Sequence, residues 1–172
     1  MTRKRSSSLS KPAKNKKNTR NVIWGGRFEQ SPTKAMLNLN SSIDFDRRLY
    51  KHDISASIAH SEMLAKKEII SKKDGRAIKK GLIAILKEIE TGNFQYSQAL
   101  EDIHMNVESR LGELIGDAAG RLHIARSRND QVATDFRLWI REALETIDVV
   151  LKDFQGVLIS IAEKHTETIM PG

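Results

Sequence analysis

The chain has 172 residues, enough to bury one hydrophobic core and about 70% of the surface that the unfolded chain exposes. It has no cysteine, which excludes disulfides, a thiolate nucleophile and cysteine-ligated zinc, and no apolar run predicts a transmembrane span or a secretory signal. The formal net charge of +7 would suit a nucleic-acid partner, so the position of that charge matters.

The positive charge is concentrated at the amino terminus. Residues 1–20 carry eight Lys and Arg and no acid, whereas the remaining 21 Lys and Arg face 22 Asp and Glu. We predict that this basic tail is disordered, because it has too few apolar residues to offset the entropy lost on ordering. A solvated extension is the simplest interpretation. Nucleic-acid binding, a nuclear signal and a transit peptide are the alternatives, and we do not expect a nucleic-acid partner.

The sequence after the tail predicts an all-α fold. Ser31 and Pro32 have the residue types that begin a short helix, and a second helical region is predicted over about 46–70. Ser71 and Asp74 form a weak capping box before an amphipathic helix that ends at Gly92. The apolar positions of that helix recur at helical spacing, at Ile78, Leu82, Ile85, Leu86 and Ile89.

A further helix is predicted from the sequence EDIHMNVESRLGELIG. The acids Glu101 and Asp102 stand at its start, where a helix favours negative charge. Ile103, Val107, Leu111 and Leu114 are expected on one buried face.

The longest helical pattern covers about residues 130–165. Its apolar residues alternate at spacings of three and four, which predicts a helix about 50 Å long. A single helix cannot bury such a stripe by itself, so we predict the first long helix of a central bundle completed by other segments or chains. The final Pro171 and Gly172 are typical of a turn that leads to more protein, so we expect a fragment of a longer chain.

The residues before the long helix are typical of an anion-binding turn. Arg126, Ser127 and Arg128 precede Asn129 and Asp130, one of which we predict to be the helix N-cap. The first turn of a helix offers unpaired N–H groups, and arginine matches a carboxylate with two parallel hydrogen bonds. The pattern suits a small dicarboxylate. The alternative is an ordinary helix cap with surface arginines.

Four sequence segments together resemble the argininosuccinate lyase family of the fumarase/aspartase superfamily. They are NVIWGGRF at 21–28, LNSSIDFDRRLY at 39–50, LEDIHMNVESRL at 100–111 and GRLHIARSRNDQVATDFRLW at 120–139. The resemblance implies an all-α homotetramer around a bundle of long helices. It also implies reversible elimination of argininosuccinate to arginine and fumarate, in arginine biosynthesis in the cytoplasm. The chain would then divide into the tail at 1–20, a helical lyase domain at 21–128 and the start of the bundle at 129–172.

The same resemblance implies which residues bind substrate. Ser42, Ser127, Arg128 and Asn129 match the family's substrate-binding positions. The family's proton-transferring histidine and serine match positions beyond Gly172, so no catalytic acid or base is expected in this chain, and the chain alone is expected to be inactive. His104 is expected to line the site, or else to be a structural residue at a helix start. A non-catalytic structural relative of the same fold is the alternative function.

We expect no cofactor, no metal and no membrane partner. No spacing of His, Asp and Glu in the sequence matches a metal site. The glycines of WGGRF lack the lysine and hydroxyl residue of a phosphate-binding loop and are expected to form a packing turn. Ile124 stands where many relatives have threonine, which removes one hydroxyl group near the turn.

Overall fold

The computed structural model describes residues 34–172, without the side chains of Lys34, Leu37 and Asn38. The basic tail, the WGGRF turn and the helix start expected at Ser31 and Pro32 therefore lie outside the described residues. Helices and connecting segments make up the described part, which contains no strand and confirms the all-α prediction. The α-helices are α1 (Lys34–Asn40), α2 (Ile43–Asp46), α3 (Tyr50–Lys66), α4 (Lys72–Glu90), α5 (Ile103–Ile115) and α6 (Arg128–Lys164). Short 3-10 helices cover Arg47–Leu49, Gln98–Leu100 and Gly116–His123.

The core lies where α3, α4 and α5 pack together beneath the 3-10 helix Gly116–His123. Ile78, Leu82 and Ile85 of α4 are buried as the sequence predicted. The other buried apolar side chains are Ile43, Ile54, Leu64, Ile70, Phe94, Ile103, Val107, Leu111, Ala119 and Leu122. This core fixes the position of the start of α5, which lies beside the start of α6, where the candidate site is found.

Helix α5 differs from its prediction at one position. Ile103, Val107 and Leu111 are buried, but Leu114 is 40% exposed and Ile115 packs against the core instead. The helix ends at Ile115, and Gly116 follows it with a positive φ of 64°. Ile115 therefore reaches the core in place of Leu114. It follows Leu111 by four residues, which is also the spacing between Ile103, Val107 and Leu111.

Helices α4 and α5 cross at a glycine. A Cβ atom added to Gly81 would lie 2.5 Å from Cδ1 of Leu111 and 3.1 Å from Cγ2 of Ile115. The absence of a side chain at Gly81 therefore lets the two helices approach closely. Helix α4 begins as predicted, because Oγ of Ser71 accepts a hydrogen bond of 3.0 Å from the backbone N–H of Asp74.

The helical region predicted over 46–70 is shorter in the structure. The 3-10 helix Arg47–Leu49 precedes α3, and α3 ends at Lys66. Glu68 then adopts a φ of 61°, while the N–H groups of Ile69 and Ile70 donate to the carbonyl of Leu64. This reversal buries Ile70 and directs the chain into α4.

The long helix α6 is confirmed and has 37 residues, about 55 Å at 1.5 Å per residue. Its first turns pack against α3, whereas every residue from 144 to 172 is exposed. Large apolar side chains along it are exposed: Val132, Phe136, Trp139, Leu144, Ile147, Val149, Val150, Leu151, Phe154, Val157, Leu158, Ile159 and Ile161. Among the helices of residues 34–172, none combines the length and apolar character needed to cross a membrane.

Candidate anion-binding site

The turn before α6 is capped by Ser127. Oγ of Ser127 accepts a hydrogen bond of 3.3 Å from the N–H of Asp130, and Oδ2 of Asp130 accepts one of 3.0 Å from the N–H of Ser127. The predicted N-cap at Asn129 or Asp130 is therefore wrong, because this reciprocal capping box starts the helix at Arg128. Asn129 instead lies within the first turn, whose early N–H groups have no partner inside the helix.

The side chains of the first turn of α6 point in two directions. Arg128 reaches towards α5, with Nε 3.8 Å from Oδ2 of Asp102 and Nη2 3.5 Å from Oε2 of Glu108. Nη1 of Arg128 is buried and has no hydrogen-bond partner within residues 34–172. Ser127 and Asn129 flank this arginine and are exposed. Asn129 makes no side-chain hydrogen bond to the described residues, so its amide is available to a ligand.

Ser42 is held at the start of α5. The N–H groups of Ser42 and Ile43 donate to the carbonyl of Glu101, at 2.9 and 3.0 Å. The hydroxyl of Ser42 donates a 2.6 Å bond to Oδ2 of Asp46, whose Oδ1 accepts from the N–H of Ile103 at 3.2 Å. Ser42 is the N-cap residue of α2, but its side chain makes no capping hydrogen bond to the backbone of that helix. Burial raises the pKa of Asp46, against the opposing effect of its hydrogen bonds from Ser42 and Ile103.

Glu101 links these elements through a tight turn. Its φ of 62° and ψ of −57° fit a γ-turn with positive φ, closed by a 2.7 Å bond from the N–H of Asp102 to the carbonyl of Leu100. Asp102 is the N-cap of α5, as its place at a helix start predicted, and accepts from the N–H of Met105 at 2.7 Å. One short segment therefore contacts both the Ser42 region and Arg128.

His104 lies one residue inside α5 and is 2% exposed. Its Nδ1 is 2.9 Å from Oδ1 of Asp53 on α3 and 3.5 Å from Oδ2 of Asp135 on α6. Nε2 of Gln131 donates a 2.8 Å hydrogen bond to the same oxygen of Asp53. Asp53 and Asp135 are 1% and 0% exposed. We name Asp53, His104 and Asp135 the buried cluster.

Ionisation in the buried cluster is shifted by burial and by neighbouring charge. Burial lowers the pKa of His104, but the hydrogen bond and charge of Asp53, with Asp102 and Asp135, outweigh it, so the pKa is raised. Burial and the charge of Asp53 raise the pKa of Asp135 to about 7, against the opposing charges of His104 and Arg126. His104 and Asp135 therefore hold their protons to higher pH than isolated side chains of the same types would.

Asp53 and Asp135 are site residues that sequence reasoning missed. They belong to different helices, 51 residues before and 31 residues after His104. The available signal was a carboxylate at a helix position that otherwise faces the core, next to Ile54 in α3. The three residues offer one ligand atom each within 4.8 Å of one another, a spacing that could hold a metal ion. The hydrogen bond between Nδ1 of His104 and Oδ1 of Asp53 and the nearby Arg126 cation offset part of the negative charge of the two carboxyl groups.

A separate cleft of about 450 Å³ lies between α5 and the segment after α4. Its charged residues Glu88, Arg110 and Glu113 are paired with one another, with Arg110 2.8 Å from Glu88 and 2.6 Å from Glu113. It therefore offers a ligand no unpaired charge. The start of α6 remains the better site for an anion.

Comparison with known proteins identifies the family of this chain. The sequence model of a family described as Lyase matches residues 26–172. The argininosuccinate lyase of Bartonella bacilliformis is 57% identical over 152 residues, which is 88% of this chain and 33% of that protein. Argininosuccinate lyase 1 of Mesorhizobium japonicum is 56% identical over 156 residues, or 91% of this chain and 34% of that protein.

The chain thus spans about a third of the length of these relatives. The family match covers α1 to α6 and every residue of the candidate site. The family resemblance seen in the sequence motifs is confirmed, and the chain belongs to the lyase family.

Proposed function

We propose that this chain forms the amino-terminal, substrate-binding part of an argininosuccinate lyase. That enzyme would eliminate fumarate from argininosuccinate and leave arginine. The observation that carries the proposal is the start of α6, where exposed Ser127 and Asn129 flank Arg128 beside the segment that holds Ser42. The two relatives named argininosuccinate lyase support the choice of substrate.

The proposed chemistry needs donors for a carboxylate that gains charge. When a base removes the proton from the carbon next to a carboxylate, the negative charge spreads into that carboxylate. Fixed donors stabilise such charge best, because they need no reorganisation during the reaction. Arg128, the amide of Asn129, the hydroxyl of Ser127 and the unpaired N–H groups of the first turn of α6 would supply them.

Ser42 and His104 have supporting parts in this proposal. Ser42 would hydrogen-bond the substrate, and His104 would line the site. The acid and the base that move protons would come from segments that, in the family, follow the position of residue 172. Residues 21–128 would form the lyase domain and residues 129–172 the start of the central bundle.

We also propose that the assembled enzyme is a cytoplasmic homotetramer. The support is the row of exposed apolar side chains along α6, which exceeds the apolar surface usual on a soluble monomer. In a tetramer, long helices of other subunits would cover this row. The same packing between subunits would also bring the remaining catalytic segments to the start of α6.

The test is complementation between two proteins. Residues 1–172 are refolded with the carboxyl-terminal two thirds of the Bartonella bacilliformis relative, and fumarate release from argininosuccinate is followed by ultraviolet absorbance. We expect no turnover from residues 1–172 alone and turnover from the mixture, because groups that act as a unit lose nearly all activity when essential members are missing.

The matched control replaces residues 1–172 with the corresponding first third of the Bartonella relative itself. If that piece restores turnover and residues 1–172 do not, the proposal is wrong. Turnover by residues 1–172 alone would contradict the placement of the proton-transferring groups outside this chain.

A further inference from the structure

We propose that Asp53 and Asp135 are positioning residues that hold His104 as an imidazolium, so that its Nε2–H is a hydrogen-bond donor. His104 then binds a carboxylate and cannot remove a proton from the substrate. The inference rests on the proposed function for the identity of that carboxylate. The inference goes beyond the proposed function, because it gives two buried carboxyl groups, one on α3 and one on α6, a role in the site.

The hydrogen bonds of Asp53 determine which ring nitrogen carries the first proton. Oδ1 of Asp53 accepts from the amide of Gln131 at 2.8 Å and lies 2.9 Å from Nδ1 of His104. Because Oδ1 of Asp53 already accepts the amide proton of Gln131, we assign Oδ1 as the acceptor and Nδ1 as the donor in its contact with His104. A neutral His104 would then have a bare Nε2, which could only accept.

The second carboxyl group favours a second proton on the ring. Oδ2 of Asp135 is 3.5 Å from Nδ1 of His104, and the residue is fully buried. Within residues 34–172 the oxygens of Asp135 have no hydrogen-bond partner other than the neighbouring Asp53 carboxyl group. A buried carboxyl group in this position is stabilised by positive charge on its neighbour, and a cationic ring supplies it.

The charges around His104 are mostly negative. Carboxyl groups face it from every helix that meets here: Asp46 from α2, Asp53 from α3, Asp102 from the start of α5 and Asp135 from α6. Two cations approach the same carboxyl groups. Nη1 of Arg126 donates a 3.2 Å bond to Oγ of Ser57, and Nε of Arg128 is 3.8 Å from Oδ2 of Asp102. An imidazolium therefore lies in a field that favours it.

Nε2 is the ring nitrogen left for a ligand. Within residues 34–172, the hydrogen bonds of the His104 ring involve Nδ1 alone. Nε2 has no hydrogen-bond partner in that part of the chain and is not fully enclosed. His104 is in α5, whose N-cap Asp102 contacts Arg128. A donor at Nε2 would complement the positive start of α6 in binding a dicarboxylate.

The experiment measures the protonation of His104 directly in residues 1–172. ¹⁵N-labelled protein is titrated from pH 5 to 9, the imidazole nitrogens are followed by NMR, and the resonance is assigned by its loss in H104Q. We expect both nitrogens to be protonated at pH 7.5. In Asp53→Asn the midpoint should fall by about one to three pH units, because an opposite charge within hydrogen-bond distance is lost.

Glu142→Gln is the matched control, because it removes a carboxylate 2.7 Å from another imidazole, that of His52, and should leave the midpoint of His104 unchanged. A bare Nε2 at pH 7.5 in the unsubstituted protein overturns the inference, whatever happens to the variants. If Asp53→Asn does not fold, Asp135→Asn should lower the midpoint in its place, and an unchanged midpoint in whichever variant folds overturns the positioning role. Failure of the proposed function would appear in the fumarate assay and not in this titration.

Discussion

Ser127 and Asp130 cap each other at the start of α6, each accepting a hydrogen bond from the backbone N–H of the other. Ser127→Ala removes one acceptor and should lower the free energy of unfolding by about 0.5–2 kcal/mol. Urea denaturation followed by circular dichroism measures the change. Thr134→Ala is the control, because Thr134 is exposed on the same helix, and it should stay within about 0.5 kcal/mol of the unsubstituted protein. Equal losses in the two variants would contradict the capping box.

Asn129 should matter for catalysis and not for stability. It is exposed and makes no side-chain hydrogen bond to the described residues. Losing a hydrogen bond to a charged group costs about 1.5–3 kcal/mol, so Asn129→Ala should lower kcat/KM by roughly 10- to 150-fold in the complemented enzyme. Asn93→Ala, at an exposed asparagine after α4, should leave kcat/KM unchanged. An unchanged rate in Asn129→Ala would leave Asn129 as a plain first-turn residue.

The buried cluster should make stability fall as pH rises. The raised pKa of Asp135, about 7, means that the folded protein holds this proton where the unfolded chain has lost it. The contribution of Asp135 to the free energy of unfolding is fully present below pH 4 and is lost as pH rises towards 7. The raised pKa of His104 acts in the same direction above about pH 6.5.

Asp135→Asn should therefore flatten the decline of unfolding free energy between about pH 4 and 7. Each proton difference contributes a slope of about 1.4 kcal/mol per pH unit, measured by urea denaturation at several pH values. Asp148→Asn removes an exposed carboxylate of the same helix and should keep the slope of the unsubstituted protein. Parallel curves for Asp135→Asn and the unsubstituted protein would show that Asp135 is ionised throughout.

The exposed face of α6 should cause self-association. Phe136, Ile147, Leu151 and Phe154 are each more than half exposed. We expect light scattering at about 50 µM to show oligomers of residues 1–172. Leu151→Glu should reduce their mass, whereas Ile69→Glu, at a similarly exposed isoleucine after α3, should not. A compact monomer at this concentration would count against the bundle prediction.

Alanine substitutions at two helical glycines, Gly81 and Gly112, should change the free energy of unfolding in opposite directions. A Cβ at Gly81 would press on Leu111 and Ile115, so Gly81→Ala should lower the free energy of unfolding by about 1–3 kcal/mol. Gly112 in α5 has open space where a Cβ would lie, and Gly112→Ala should raise it by about 0.5–1 kcal/mol. Thermal unfolding compares them directly, and a stabilised Gly81→Ala would refute the close crossing of α4 and α5.

Local patterns in the sequence predicted most of the helices. The stripe of α4, its cap at Ser71 and the length of α6 follow from residue types and spacing within one helix. The N-cap of α6 was misplaced because Ser127, Asn129 and Asp130 are all good capping residues. The distinguishing signal was a serine followed three residues later by an acid, which allows both backbone N–H groups to be satisfied.

The buried cluster could not be predicted in the same way. Asp53, His104 and Asp135 meet because three helices pack at particular angles and registers, and no local spacing encodes that. The turn at Glu101 is similar. A glutamate gives no sequence signal for a positive φ. In the structure its carbonyl oxygen accepts hydrogen bonds from the N–H groups of Ser42 and Ile43 and from the hydroxyl of Ser41, which are distant in sequence.

The two parts of helix α6 differ in the free energy needed to expose their backbone amides to solvent. Near Gln131 and Asp135 its amides are shielded by buried neighbours, so exchange with solvent there requires a cooperative opening of the helical core. From residue 144 onward every residue of the helix is exposed, so in a monomer the local fraying of a few turns is enough to release an amide proton. Deuterium uptake should therefore rise stepwise along a single uninterrupted helix, with the step where the contacts with α3 end.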